Sequence, residues 1–263
     1  MSLRSEFQPG EFCWVDLMAH DMESAAKFYE SLLGWTTELQ DTQGGPPYAI
    51  FQLDGKRTAG MGQLQPEMQQ QGVPPIWNSY ISVVDLQATV DKAVDLGASV
   101  MMPPMDVMQA GRMAIIKDPT GAAVSLWQPN QHIGAEKVNE VGCYCWNELA
   151  TRDLKGAQKF FAGLFGWTFE KNEHSPTEYY IIKHGDRMAG GMLQMGSEFA
   201  ETPPCWMVYF TIADMDAACT QVHALGGKIM VEPFDAPQVG KIAVAADPQG
   251  GAFSLIEMSV EPD

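Results

Sequence analysis

The segment CWVDLMA, Cys13 to Ala19, alternates in the manner of a half-buried strand. Side chains two apart on a strand share a face, so Trp14, Asp16 and Met18 point one way and Val15 and Leu17 the other. Asp21 then stands where a helix N-cap belongs. Ala25, Phe28, Tyr29, Leu32 and Leu33 form the apolar stripe of a helix over MESAAKFYESLLG, which Gly34 ends. WTTEL, YAIFQLDG and RTAGMGQL follow as short strands divided by Gly and Pro. The pattern restarts at NSYISVVD. Asp85 caps LQATVDKAVDLG, where Leu86, Val90, Ala93, Val94 and Leu96 recur near helical spacing and Gly97 stops the run. ASVMMPP, GRMAIIKD and AAVSLWQ complete the set. DPTG, Asp118 to Gly121, is a turn by its chemistry.

The same order then repeats. CWVDLMAHD returns as CWNELATRD, FYESLLGWTTE as FFAGLFGWTFE, and VPPIWNSYISVVDL as TPPCWMVYFTIADM. GKRTAGMGQL returns as GDRMAGGMLQM, and KDPTGAAVSLWQ as ADPQGGAFSLIE. Repeats of this length are domains and not solenoid units. The linker spans roughly Pro129 to Asn139, polar and without apolar periodicity. The expectation is an α+β chain of four βαβββ modules. They fall in two domains, 8–130 (modules 8–66 and 74–130) and 138–260 (modules 138–196 and 203–260). Two modules facing each other would curl mixed sheets around a shared cavity.

Composition narrows the function. The 263 residues carry a formal net charge of −17, which disfavours phosphate backbones and anionic lipid. No apolar run is long enough to span a bilayer, and the N-terminal stretch lacks the apolar core of a signal peptide. Five cysteines, an odd number, suggest reduced thiols and a cytoplasmic location. Cys143 and Cys145 are two apart, but the first repeat has only Cys13 there, so packing is the expected role. A homodimer is left open.

The motifs D…A…FY…LLGW, VVDL…A…LGA and KDPTGAAVSLWQ, in this order and repeated twice, resemble the vicinal oxygen chelate superfamily. That superfamily contains glyoxalase I, bleomycin-resistance proteins and extradiol dioxygenases. The resemblance implies two glyoxalase-like domains, each a U-shaped sheet of paired βαβββ modules. Its metal enzymes hold a divalent ion in the trough. The positions matching the family's first-strand and final-strand ligands are Trp14, Trp146, Asn78, Met207, Ser125 and Ser254. For the fourth strand, Gln63 and Gln194 are the nearest candidates. Indole, thioether and neutral hydroxyl groups are poor ligands for such ions. None of His20, His132, His174, His184 or His223 occupies a mapped position, and a surface or loop setting is expected for all five. The expectation is that no metal is bound and no other cofactor is required.

The trough is expected to offer Trp14, Asp16, Asn78, Tyr80, Ser125 and Trp127 in one domain. Trp146, Glu148, Met207, Tyr209 and Ser254 are the counterparts in the other. Aromatic walls with a few polar anchors suit a small organic ligand. Burial would raise the pKa of Asp16 and Glu148, so either could act as a general base. Each could equally tie neighbouring strands together through Tyr80 and Tyr209. Arg57 and Arg187 stand before the Ala-Gly pairs as candidate anion contacts or surface salt bridges. Three readings stay open: a metal-free small-molecule binder; a lyase, isomerase or dioxygenase-like enzyme using Asp16 and Glu148; and a partner-binding scaffold.

Overall fold

The computed structural model describes residues 3–200 and 202–259; the domain boundary expected at residue 260 lies outside them. The first half runs β1 (Phe12–Ala19), α1 (Met22–Leu33), β2 (Thr36–Leu39), β3 (Tyr48–Leu53) and β4 (Lys56–Gln63). A short α2 (Pro66–Gln70) leads to β5 (Ile76–Ser82), α3 (Leu86–Asp95), β6 (Ser99–Val107), β7 (Gly111–Lys117) and β8 (Ala123–Pro129). The second half repeats this as β9 (Tyr144–Thr151), α4 (Leu154–Phe165), β10 (Thr168–Lys171), β11 (Tyr179–His184) and β12 (Arg187–Gln194). A single 3-10 turn, Ser197–Phe199, precedes β13 (Cys205–Thr211), α5 (Met215–Ala224), β14 (Lys228–Ala236), β15 (Gly240–Ala246) and β16 (Ala252–Met258).

Each half builds one eight-stranded sheet. The orders are β2-β3-β4-β1-β5-β8-β7-β6 and β10-β11-β12-β9-β13-β16-β15-β14. The two modules of a half meet where β1 runs antiparallel to β5, and β9 to β13. Each of these central strands also pairs in parallel with the last strand of its own module. The sheets are mixed and open, as the α+β expectation requires.

Capping chemistry sets the helix starts. Asp21, Asp85, Asp153 and Asp214 each accept a first-turn backbone N–H. Gly34 and Gly166 end α1 and α4 in the left-handed conformation. The stripe of α1 is buried as expected, whereas Val94 on α3 is 47 % exposed. It follows Ala93 by one position and so turns away from the sheet.

The helices lie between the two sheets, α1 against α5 and α3 against α4. The halves are bolted together by the Gly-Trp pairs that follow α1 and α4. Trp35 Nε1 donates to Gly142 O at 2.6 Å, and Trp167 Nε1 to Gly10 O at 2.9 Å. The linker is less polar in its packing than in its sequence, because Ala135 and Val138 are buried.

Candidate functional site

A register shift fixes which side chains enter each trough. Phe12 pairs with Ile81 while Trp14 pairs with Tyr80, so a bulge at Cys13 reverses the alternation. Phe12 therefore packs on Trp206 and Trp167 in the inter-sheet core. Trp14 and Asp16 face away from it. The same shift separates Tyr144 from Trp146. Cys13 and Cys145 sit on these bulges, each donating from Sγ to the carbonyl of Tyr80 or Tyr209 at 3.6 Å.

In the first trough, Asp16 is 3 % exposed and accepts three side-chain hydrogen bonds. Asn78 Nδ2 donates to Oδ1 at 2.9 Å; Tyr80 and Tyr48 hydroxyls donate to Oδ2 at 2.8 and 3.2 Å. Trp14 Nε1 in turn donates to the Tyr48 hydroxyl at 3.1 Å. The second trough repeats the chain: Trp146 Nε1 donates to the Tyr179 hydroxyl at 3.1 Å, and Tyr209 donates to Glu148 Oε1 at 2.8 Å. Burial raises the pKa of both acids, and the donated hydrogen bonds only partly offset it. Met207 takes the register position of Asn78, so Glu148 lacks the amide donor that Asp16 has.

Tyr48 and Tyr179 are members that sequence reasoning missed. Each needs a glycine beside it. Gly60 pairs with Asp16 and Gly191 with Glu148 on the adjacent strand. A Cβ at Gly60 would fall on the Tyr48 hydroxyl and 2.8 Å from its Cζ; at Gly191 it would fall on the Tyr179 hydroxyl. The Gly-rich stretches thus make room for a phenol, and the Tyr–Gly recurrence in both halves was the available signal.

Some of the other expected residues stay with these networks and some do not. Ser125 and Ser254 are buried opposite Tyr80 and Tyr209. Trp127 Nε1 donates to His132 O at 2.8 Å. Gln63 and Gln194 amides donate to backbone carbonyls next to the helix starts, His20 O and Arg152 O. Arg57 and Arg187 are not equivalent: Lys56 and Arg187 occupy the same hairpin position, because the turns between β3 and β4 and between β11 and β12 place their glycines differently. Arg57 pairs with Glu136, and Arg187 with Glu11, each at 3.0 Å.

His132 lies in a loop, as expected, but is half-buried there. Its ring lies edge-on to Trp14, centroids 4.6 Å apart, and 5.8 Å from Trp127. Burial, with Arg57 nearby, pushes its pKa down to about 4. It also lines a cleft of about 650 Å³ between β2–β4 and the β6–β7 turn, with Ile50, Gln52, Arg57, Met108 and Glu136. Trp14, Asp16 and Tyr80 do not line this cleft; they form the packed layer on which His132 rests.

The donor set does not fit a divalent ion. The mapped ligand positions hold an indole, an amide and a hydroxyl in one half, and an indole, a thioether and a hydroxyl in the other. Asp16 already accepts three donors. Among the described residues, no cluster of three or more His, Cys, Asp or Glu side chains could hold an ion.

Comparison with known proteins agrees with this architecture. The chain is 43 % identical over 259 residues, 98 % of both chains, to CFP32 of Mycobacterium tuberculosis, which is named provisionally as a glyoxylase. It is 33 % identical over 264 residues to the anthracycline biosynthesis protein DauV of Streptomyces sp. strain C5, covering 97 % of this chain and 95 % of that one. The Mn(II)-bound glyoxalase from Novosphingobium aromaticivorans shares the fold with a TM-score of 0.64 at 12 % identity, covering 100 % and 87 % of the two chains. The 2,3-dioxygenase LapB from Pseudomonas sp. KL28 does so with a TM-score of 0.65 at 13 % identity, covering 98 % and 96 %. The family model matches twice, over residues 12–126 and 138–255, and the chain belongs to the Glyoxalase/Bleomycin resistance protein/Dioxygenase superfamily.

Proposed function

We propose that this protein binds a small organic molecule in the cleft of its first domain, holding it by imidazole, amide and a few apolar groups and not by a divalent ion. The observation that carries this reading is the cleft itself. It is wide and open, about 650 Å³ in volume, with a mainly polar lining, and the imidazole of His132 stands in its wall. Ile50, Met108 and Ala110 supply apolar surface, Gln40, Gln52 and Gln131 supply amides, and His132 supplies a ring backed by Trp14. A relative named for anthracycline biosynthesis is in keeping with small-molecule chemistry.

The test is a thermal-shift ligand screen on the wild type and on Gln52→Trp, whose indole would fill the cleft from a partly exposed strand position. A ligand that binds only the folded state raises Tm by mass action. Compounds that stabilise the wild type should leave Gln52→Trp unchanged. Equal shifts in both proteins would move the binding site elsewhere.

A second reading rests on the buried acids. Asp16 and Glu148 each lie beside tyrosine hydroxyls with a raised pKa, which suits a group that takes up and releases a proton. On that reading the protein is a lyase or isomerase, and Glu148, with fewer donors, is the more reactive acid. Turnover lost in Glu148→Gln with the fold intact would favour it.

A further inference from the structure

His132 offers one hydrogen-bond donor that the fold does not use. The backbone N–H of Gly134 donates to its Nδ1 at 3.0 Å, so in the neutral ring the proton sits on Nε2. Neutrality at physiological pH follows from burial between Trp14, Trp127 and the loop. The ring lines the cleft, and no protein group pairs with Nε2 among the described residues. The surroundings decide what it can recognise. Glu38 and Glu136 line the same cleft, and its one cation, Arg57, is tied to Glu136 at 3.0 Å. A carboxylate ligand would meet two acids and a guanidinium whose charge Glu136 already balances. A neutral carbonyl would not, and Ile50, Met108 and Ala110 provide surface for an apolar body.

We propose that the Nε2–H of His132 is the donor that recognises a carbonyl oxygen on a neutral ligand in this cleft. The proposal rests on the small-molecule reading above and names the ligand class for that site. The probes are 1-tetralone and tetralin, which differ only in the carbonyl oxygen. Titrated up to the solubility limit of tetralin against the full chain, 1-tetralone should bind roughly fivefold to tenfold tighter, the worth of one hydrogen bond. His132→Phe keeps a ring against Trp14 and removes both nitrogens, so the two probes should then bind alike. In the wild type, the ¹⁵N resonance of the Nε2–H should move with 1-tetralone and stay with tetralin. Equal affinity of both probes for the wild type, with binding lost in Gln52→Trp, would overturn the proposal and leave the small-molecule reading standing. A preference that survives His132→Phe, or an Nε2–H that ignores bound tetralone, would also overturn it. Binding of neither probe would overturn the proposal, and a screening hit that Gln52→Trp abolishes would still leave the small-molecule reading standing.

Discussion

Phe161→Tyr should stabilise the protein, because the second half lacks a hydroxyl that the first half uses. On α1, the Tyr29 hydroxyl accepts from Trp77 Nε1 at 3.0 Å and donates to Asp247 Oδ2 at 3.0 Å, joining the halves. The repeat puts Phe161 on α4 at that position, with Trp206 and Asp118 as the matching partners. The ring geometry is conserved: Tyr29 meets Trp77 at 5.2 Å and 89°, and Phe161 meets Trp206 at 5.5 Å and 84°. Trp206 Nε1 and Asp118 Oδ2 are both buried without a partner. A hydroxyl on Phe161 would serve both. Each orphaned buried group costs about 1–3 kcal/mol, and seating an oxygen in a packed core takes some of this back, so the expected gain is about 2 kcal/mol. In a chain of this size that raises Tm by roughly 4–8 °C. Urea unfolding with an unchanged m-value provides the free energy, and calorimetry the Tm. Tyr29→Phe should lose a similar amount by orphaning Trp77 and Asp247. An unchanged or lower stability of Phe161→Tyr would refute the reasoning.

Gly60→Ala should cost about 2–3 kcal/mol by driving Tyr48 off Asp16 and Trp14, and Tyr48→Phe in that background should recover part of it; additive losses in urea would contradict the shared cause. Asp16→Asn should destabilise more than Glu148→Gln by roughly 1 kcal/mol, because Asn78 donates to the first acid and Met207 cannot donate to the second. His132 is held at about 4 against an ordinary 6.5, so its contribution is full above pH 6.5 and is lost as pH falls towards 4. That contribution is at most about 3 kcal/mol. Stability measured across this window should therefore fall less steeply in His132→Phe than in the wild type.

Much of the fold was legible because it rests on local chemistry. The Asp caps, the Gly34 and Gly166 stops, and the alternation of Val15 and Leu17 each announce an element, and the duplication doubles every signal. The pairing of Trp14 with Asp16 on one face was readable from parity alone. The bulge before Trp14 was not, because nothing in FCWVDLMA marks an extra residue; it appears only when β5 supplies the register. Tyr48 was missed for a similar reason: its hydroxyl reaches Asp16 only because Gly60, on the intervening strand, has no side chain. His132 sits in the loop that the polar linker predicts; its half-buried packing was not readable there. Its burial comes from a tertiary route, with Ala135 N bonding to Cys13 O and carrying the loop across the trough. The equivalence drawn between Arg57 and Arg187 failed by one residue, since the two hairpin turns differ in where their glycine falls.

The proposed function stands or falls on binding of a small organic molecule in the first-domain cleft without a divalent ion. The most direct measurement is ligand-induced thermal stabilisation of chelator-treated protein, for wild type and Gln52→Trp, before and after divalent metal is restored. A full shift in the stripped wild type, no change on adding metal and no shift in Gln52→Trp are expected. A shift that appears only after metal is returned, or one that Gln52→Trp retains, would contradict it.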